Sequence, residues 1–324
     1  MKLPHRRQFL HLAAAALPHL PRVARAQAYP SRPVRLIVGF LPGGPADIVA
    51  RQIGPWLSER LGQPVIIENR PGSGANLATE AVVRAPADGY TLLTLGTSNA
   101  VNSTLYEKLN FDFIRDIVPV ARIGLSSAVI DVHPAFPAKT VPEFIAYAKA
   151  NPGKINMGSA GVGSPPHMIG ELFKMMTGID MVHVPYRGAA AVLTDLLGGQ
   201  VQVYFGALPA SIEYIKTGRL RALAVTSAAR VEELPDIPAV SEFVPGYEAF
   251  NWFGVGAPRN TPAEIIDRLN KEINAGLADP NLKARLRNLG VTTVAGSPAD
   301  LGKFIADETE KWAKVIKIAG IKAE

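Results

Sequence analysis

The sequence predicts an α/β protein with two lobes, each built on a parallel-rich sheet flanked by helices. Short apolar runs alternate with helical patterns, which is typical of parallel sheets covered on both faces. This alternation is interrupted by a long extended stretch after Ile117 and restarts near Ile155. The length of 324 residues also favours two domains over one. These observations predict a second βα lobe inserted into the first.

The first strand, loop and helix already suggest a ligand site. A buried strand is predicted over 33–40, a glycine-proline turn follows, and a helix is predicted over 45–61. Pro45 and Asp47 are residue types favoured in the first turn of a helix. Such a turn directs unpaired N–H groups and the positive end of a helix dipole at one point, which favours an anion.

Two further strands complete a βαβαβ pattern in the first lobe. A strand is predicted over 65–68, a polar glycine-rich loop over 69–74, a helix over 76–84 and a third strand over 90–95. Ligands of open parallel sheets bind beyond the carboxyl ends of the strands. Thr97, Ser98 and Asn99 follow the third strand and are therefore placed near the first loop. The alternative is that they only cap a helix beginning around Asn102.

The rest of the chain predicts the second lobe and a helical closure. Residues 117–132 form the first crossover between lobes, and a return path runs through 234–245 and 247–258. The intervening elements alternate between helix and strand: helix 141–150, strand 155–158, helix 166–177, strand 181–184, helix 190–197, strand 201–205, helix 209–217 and strand 222–226. Three helices, near 262–278, 280–289 and 298–319, end the chain.

A second loop has the same character as the first. It runs from Ser159 to Ser164, after the strand at 155–158, and two prolines follow it at the start of the next helix. Its small residues let a ligand approach the backbone, and its two hydroxyls can donate hydrogen bonds. The two loops are predicted to face each other across a cleft. The plainer interpretation is that each is an ordinary turn of an α/β protein.

The lobe boundaries follow from these crossovers. Lobe 1 is assigned to residues 29–123 and 252–324, and lobe 2 to residues 124–251. The hinge is expected near Ile123 and Trp252, where a bending motion would absorb domain closure.

The formal charge of +6 comes mostly from a leader. Five basic residues and no acidic residue lie in the first 28 positions, leaving 29 basic and 28 acidic residues beyond them. Nothing in this balance indicates a nucleic-acid partner.

The leader itself, residues 1–28, is predicted to be a signal peptide cleaved before Tyr29. Its Arg6-Arg7 pair, followed by Phe9-Leu10, resembles a twin-arginine signal, with a general secretory signal as the alternative. The chain contains no cysteine, which excludes disulfides, thiol catalysis and a lipid anchor attached through cysteine. An exported protein of the periplasm is expected.

Motifs of enzymatic chemistry are missing from the sequence. His133, His167 and His183 have no close metal-ligand spacing, and no GxSxG elbow occurs. Gly161-Val162-Gly163 is half of a dinucleotide fingerprint, which is a weak signal. We therefore expect no catalytic residue, no metal and no cofactor, and we assign His167 to a helix start or a pocket wall.

Many separate motifs together resemble one family, the Bug solute-binding proteins of tripartite tricarboxylate transporters. The resemblance covers essentially the whole mature chain and rests on these segments: 29–33, Phe40 to Asp47 (similar to F-x-P-G-G-x-x-D), 68–72, 87–90, 159–161, 170–173, 183–188, 196–201 and 220–227.

The resemblance implies a two-lobed periplasmic-binding-protein fold of type II, the Venus flytrap, which closes over a small carboxylate. It implies a receptor rather than an enzyme, a monomer without a lipid anchor, and membrane transporter subunits as partners. A sensor that reports occupancy to a signalling protein is one alternative, and an exported cofactor enzyme is another.

The ligand-binding residues are predicted on this basis. Backbone and hydroxyl donors of the two loops are expected to cradle the carboxylate: Gly43, Gly44, Ser159, Ala160, Gly163 and Ser164. Four residues are expected to form the walls: Thr97, Ser98, Tyr186 and Gly206. Leu41 and Asp47 complete the predicted set.

Some positions depart from the family pattern. Leu41 replaces a smaller residue or proline and is expected to narrow or dry the cleft, and Asn99 replaces a frequent histidine. Phe205-Gly206-Ala207 lacks the acid that many members carry after the phenylalanine. An acid there could receive an amino group, so its absence argues against an amino-acid ligand.

Overall fold

The computed structural model describes residues 29–323, so the predicted leader lies outside the described residues. The strands within this range are β1 Val34–Val38, β2 Val65–Asn69, β3 Thr91–Gly96, β4 Ile117–Val132, β5 Asn156–Ser159, β6 Val182–Pro185, β7 Val203–Ala207, β8 Arg221–Val225, β9 Phe250–Pro258 and β10 Thr292–Thr293. The helices are α1 Pro45–Leu61, α2 Asn76–Val83, α3 Thr97–Leu105, α4 Phe113–Asp116, α5 Val141–Ala150, α6 Pro165–Thr177, α7 Ala189–Leu197, α8 Leu208–Lys216, α9 Ala263–Ala278, α10 Pro280–Asn288 and α11 Pro298–Ala319. Short 3₁₀ turns lie at Ser73–Ala75 and Val240–Glu242.

The strands form one mixed sheet that passes through both lobes. Its main order is β2-β1-β3-β9-β4-β7-β5-β6, with β8 and β10 also paired to β4. The pairs β1–β2, β1–β3, β5–β6 and β5–β7 are parallel, whereas β4 and β9 pair antiparallel. The sheet is therefore parallel toward its two ends and antiparallel in the middle.

Strand β4 joins the two halves of the sheet. It pairs with β9 as far as Ser127, and from Ala128 onward it pairs with β7. The lobe boundaries near Ile123 and Trp252 stay predictions, and this exchange of partners lies a few residues from both.

Helices cover both faces of the sheet in each lobe. In lobe 1, α1, α9 and α10 pack on one face around Leu57, while α3 and α11 cover the other around Leu301. In lobe 2, α5 and α6 surround Phe173, and α7 and α8 cover the opposite face. The C-terminal part of α11 reaches the lobe 2 core through Trp312. Within residues 29–323, every helix is too short or too polar to cross a membrane.

The helices that follow the two predicted loops, α1 and α6, begin at prolines as the sequence indicates. Helix α1 starts at Pro45 after Gly44 and stops at Gly62, which has a φ of 70° that favours glycine. Helix α6 starts at Pro165 after Ser164 and stops at Gly178. Proline at the first helical position loses no intrahelical hydrogen bond, because that N–H has no partner within a helix.

Three predicted elements differ from the structure. Helix α3 begins at Thr97 rather than around Asn102, so β3 and α3 follow each other without a loop. Strand β7 is shifted toward the C terminus because the small Gly206 and Ala207 fit the ladder opposite Val129 and Ala128. The return path contains β9, which was not predicted as a strand. Its apolar side chains pack into the cores on both faces of the sheet. Its sequence therefore lacks the alternation of apolar and polar residues that marks a half-buried strand.

Candidate functional site

A narrow cavity, here called the inner chamber, lies between the lobes. Its volume is about 80 Å³, and it lies where the carboxyl ends of β1, β3, β5 and β7 meet. Its lining consists of residues 39–42, 44–46, 75, 94–99, 160, 165–166, 188–190, 204, 207 and 251–253. Residues that the sequence assigned to both lobes therefore line one cavity, including Leu41 and Gly44 of the first loop and Ala160 of the second.

The first residues of four helices line the inner chamber. They are those of α1 and α3 from lobe 1 and those of α6 and α7 from lobe 2, and the N-cap residues of α2 and α8 line it as well. The first N–H groups of each helix have no partner within that helix, and the helix dipole places partial positive charge there. An arrangement of this kind favours an anion without any cationic side chain.

The first loop is fixed by Asp47 rather than left open. The carboxylate of this buried residue accepts hydrogen bonds from the Gly43 N–H (2.9 Å), the Asn69 amide (2.9 Å) and the Arg51 guanidinium (2.9 Å). Burial alone would raise the pKa of Asp47, but these hydrogen bonds outweigh it and lower the pKa below its usual value. Asp47 and Gly43 therefore shape the loop, while Leu41 and Gly44 line the chamber.

Thr97 and Ser98 bring two hydroxyl groups to the chamber wall. They occupy the first turn of α3, and both side chains are buried. Within residues 29–323, neither hydroxyl has a hydrogen-bond partner. Asn99 has a different role, because its side chain accepts from the Gly96 N–H (2.9 Å) and donates to Thr79 (3.0 Å). Asn99 therefore caps α3, and the two adjacent hydroxyls are buried without a hydrogen-bond partner among residues 29–323.

The second loop is held mostly by its own hydrogen bonds. The Ser159 hydroxyl accepts from the Gly161 N–H (3.1 Å), and the Ser164 hydroxyl donates to the Gly161 carbonyl (2.6 Å). Both serines are fully buried. Ala160 is the loop residue that lines the inner chamber. The geometry thus places Ser159 and Ser164 behind the loop surface that the sequence assigned to the cradle.

Two histidines that are 16 positions apart in sequence stack behind this loop. The rings of His167 and His183 are 3.7 Å apart and nearly parallel, with an angle of 9°. His183 Nε2 lies 2.5 Å from the Ser159 hydroxyl, and His167 Nδ1 accepts from the Gly163 N–H at 3.1 Å. Sequence spacing did not reveal this pair, because α6 and β6 bring it together only in the folded lobe.

Burial keeps both rings uncharged. It lowers the pKa of His167 to about 3, with further lowering from His183 and Lys174. It lowers the pKa of His183 to about 4, again helped by Lys174. A neutral His167 can accept through Nδ1, so the uncharged form is the one that holds Gly163 in place.

Three other predicted residues lie around the chamber rather than on its lining. Gly163 packs against Leu105 of α3, where a β-carbon would collide with that side chain. Gly206 lies under the ring of Tyr204, which fills the space that a side chain at 206 would need. Tyr186 lines a neighbouring cavity, and its hydroxyl donates to Asp195 at 2.7 Å.

This neighbouring cavity, the outer chamber, has a volume of about 680 Å³. It shares Gly39, Phe40, Leu41, Ala75 and Ala160 with the inner chamber. Leu41 also faces Gly188 of lobe 2, since a β-carbon at that glycine would lie 3.7 Å from the Leu41 side chain. Leu41 therefore stands between the two chambers, and its narrowing effect on the cleft stays a prediction.

Several lining residues were not predicted. Tyr204 lies on β7, and Asn251, Trp252 and Phe253 lie at the start of β9. A strand prediction for the return path would have placed these three near the base of the cleft. Among residues 29–323 there is no group of three or more histidine, aspartate or glutamate side chains that could hold a metal ion.

Comparison with known proteins adds independent information. Residues 49–321 match the model of the tripartite tricarboxylate transporter family receptor. A solved structure from R. palustris, Rpa4515 with adipate, is 39% identical, with a TM-score of 0.88 over 91% of this chain and 99% of that chain. The periplasmic binding protein BugD is 33% identical, with a TM-score of 0.87 over 91% of this chain and 100% of that chain.

A third solved structure is MatC (Rpa3494) from Rhodopseudomonas palustris with bound malate. It is 30% identical to this chain, with a TM-score of 0.84, and covers 89% of this chain and 100% of that chain. Two of these three relatives are thus described with a carboxylate bound, and all three share the two-lobed fold over nearly their whole length.

Proposed function

Because the chain belongs to the tripartite tricarboxylate transporter receptor family, we propose that it is a periplasmic receptor for a small organic carboxylate. The receptor captures the ligand between its lobes and delivers it to a membrane transporter of the tripartite type. It works as a monomer without a lipid anchor or cofactor, and it catalyses no reaction.

The observation that carries this proposal is the meeting of four helix N-termini at one chamber formed by both lobes. Within residues 29–323, no lysine, arginine or histidine lines the inner chamber, so its positive potential comes from backbone dipoles and donors. A carboxylate accepts several such hydrogen bonds at once, and each contributes roughly 1.5–3 kcal/mol. The same ligand touches both lobes and therefore stabilises their closed arrangement.

We assign the carboxylate contacts to a smaller set of residues than the sequence predicted. The hydroxyls of Thr97 and Ser98 donate to it, together with free N–H groups in the first turns of α1 and α7. Ala160 and Gly44 form the backbone wall on opposite sides, and Leu41 closes the passage.

The remaining predicted residues support this set rather than touch the ligand. Asp47 and Gly43 hold the first loop, while Ser159, Gly163 and Ser164 hold the second. Gly206 makes room for Tyr204, and Tyr186 faces the outer chamber.

Thermal denaturation of the mature protein with candidate ligands tests the function. A ligand that binds only the folded state raises the melting temperature. We expect a rise with one or more organic acids, and no rise with the corresponding amides, which lack the charge. Stabilisation by nucleotides alone, with no carboxylate active, would contradict the proposal.

A further inference from the structure

The chambers between the lobes contain no negative charge on their lining. Among residues 29–323, no aspartate or glutamate lines the inner or the outer chamber, and Arg187 is the one charged residue that lines either of them. A cationic group on a ligand would find no counter-charge anywhere along this path. Burying such a group without a partner is strongly unfavourable.

The polar side chains on the inner lining are donors. Within residues 29–323, five lining residues carry a buried polar atom without a hydrogen-bond partner: Thr97 Oγ1, Ser98 Oγ, Tyr204 Oη, Asn251 Nδ2 and Trp252 Nε1. The two nitrogen atoms can only donate, whereas the three hydroxyls can donate or accept. A carboxylate can therefore accept hydrogen bonds from all five groups, but an ammonium group can donate only to the three uncharged hydroxyls.

Two buried acidic residues lie close to residues of the chamber, but neither offers a free carboxylate to a cationic group of a ligand. Asp47 is paired with Arg51, and Gly43 and Asn69 donate to its carboxylate as well. Asp131 lies opposite Tyr204 in the β4–β7 ladder, is fully buried and is not among the residues that line either chamber. Burial raises the pKa of Asp131 well above its usual value, because it disfavours the charged form of the carboxyl group.

The rest of the inner lining is apolar. Phe40, Leu95 and Phe253 line it together with the ring of Tyr204, and Leu41 stands at the passage to the outer chamber. Methylene or aromatic carbon next to the ligand carboxylate would be buried favourably here. A second charged group on these carbon atoms would lose its hydration on binding and would find no oppositely charged group on this part of the lining.

We propose, building on the carboxylate receptor described above, that the ligand is an acid whose carboxylate is attached to an uncharged, apolar chain or ring, and that the chamber rejects α-amino acids. The donors of the inner chamber hold the carboxylate, and the apolar wall covers the neighbouring carbons. A longer ligand extends past Leu41 into the outer chamber.

Calorimetric titration with matched ligand pairs tests this inference. The pairs are hexanoate with 2-aminohexanoate, and adipate with 2-aminoadipate, which differ within each pair by one amino group. We expect the amino member of each pair to bind at least about 100-fold more weakly, because its ammonium group is buried without an acceptor. Equal or tighter binding of either amino acid would overturn the inference.

The same titrations separate this inference from the function on which it rests. If citrate or malate bound while hexanoate, benzoate and adipate did not, the apolar class would be wrong and the carboxylate receptor would stand. If no organic acid bound, the proposed function itself would fail.

A charge placed on the lining gives a second test. Ala207 lines the inner chamber and is the N-cap residue of α8, a position that favours aspartate and asparagine. Ala207→Asp should reduce the preference for hexanoate over 2-aminohexanoate by at least about tenfold, because it supplies the missing counter-charge.

Two variants serve as controls for that test. Ala207→Asn has the same size without the charge and should keep the original preference. Asp131→Asn should also keep it, because Asp131 is fully buried and does not line either chamber. A preference that changed equally in Ala207→Asp and Ala207→Asn, or that disappeared in Asp131→Asn, would overturn the inference.

Discussion

Thr97 and Ser98 are the side chains from which we expect the largest direct contribution to affinity. A hydrogen bond to a charged partner contributes about 1.5–3 kcal/mol, so Thr97→Val and Ser98→Ala should each weaken carboxylate binding about tenfold or more. Isothermal titration measures the change. Ser103→Ala is the matched control, since its hydroxyl lies on the same helix but donates to the Asn99 carbonyl. Unchanged affinity in Ser98→Ala and Thr97→Val would contradict the assignment.

Asp47 acts on stability through the shape of the first loop. Asp47→Asn removes the ion pair with Arg51 and should lower the free energy of unfolding at pH 7 by about 1–3 kcal/mol. The lowered pKa of Asp47 means that its charge stabilises the fold above about pH 4, and that this contribution is lost as the pH falls through the folded-state pKa. Urea unfolding at a series of pH values should therefore show the full difference at pH 7 and a difference that shrinks as the pH falls below about 4.

A surface ion pair offers the comparison for Asp47. Asp307 pairs with Lys303 on α11, and both side chains are largely exposed. Asp307→Asn should change the free energy of unfolding by no more than about 0.5 kcal/mol, because exposed pairs contribute little. An equal loss in both variants would mean that the hydrogen-bond network of Asp47 adds nothing.

At the same scale, sequence reasoning identified the residues of the first loop more accurately than their roles. Leu41 and Gly44 line the chamber, but the predicted Ser159 and Ser164 turn inward to the Gly161 backbone. Composition shows that a loop contains small side chains and hydroxyl groups. The direction of each hydroxyl group depends on neighbouring residues from other helices and strands. The ring of His183 on β6 is such a neighbour.

At the scale of elements, the alternation of strands and helices predicted most of the architecture, while β9 and the start of α3 were missed. Helices α1 and α6 carry proline at their first position, which is visible in sequence. Helix α3 begins directly after β3 with Thr97 and Ser98, residues that also suit strands and loops. Its cap depends on Asn99, and that contact requires the folded turn.

The contact between α6 and β6 predicts an acid-sensitive stability. Both stacked histidines have pKa values below the ordinary value of about 6.5, so the unfolded chain binds more protons at mildly acidic pH. Stability from His167 is complete above pH 6.5 and is lost as the pH falls toward its folded-state pKa. The slope reaches up to about 1.4 kcal/mol per pH unit.

Denaturant unfolding between pH 4 and pH 7 measures this slope. His167→Asn should make it shallower, because asparagine does not titrate. His133→Gln is the control, since His133 lies away from the stack and contacts the Ala135 N–H. A slope that is the same in His167→Asn and in the unchanged protein would contradict the interpretation.

For the whole molecule, closure brings α3 of lobe 1 against the second loop of lobe 2. Gly163 lies where a β-carbon would collide with Leu105, so Gly163→Ala should oppose the closed arrangement. We expect weaker ligand binding and a smaller ligand-induced decrease in the radius of gyration, measured by solution X-ray scattering. Leu105→Ala combined with Gly163→Ala should restore part of both. A double variant that behaves like Gly163→Ala would show that this contact does not limit closure.

The lobe boundaries are predictable from sequence only approximately. The crossovers through β4 and β9 were visible as long stretches between the two alternating halves, and the hinge was placed near Ile123 and Trp252. Strand β4 is continuous through Ser127 and Ala128, where its partner changes, and nothing in its composition marks that point. We propose that these residues bend together with the predicted positions.

The four helix N-termini at the inner chamber have a consequence for the empty receptor. Partial charges of the same sign on the two lobes repel each other when no anion lies between them. Closure of the empty molecule is therefore energetically unfavourable. A bound anion offsets the repulsion between the two lobes and holds them together. The receptor would then meet a transporter in its closed conformation mainly when a ligand is bound. The transporter would therefore bind fewer receptors that carry no ligand.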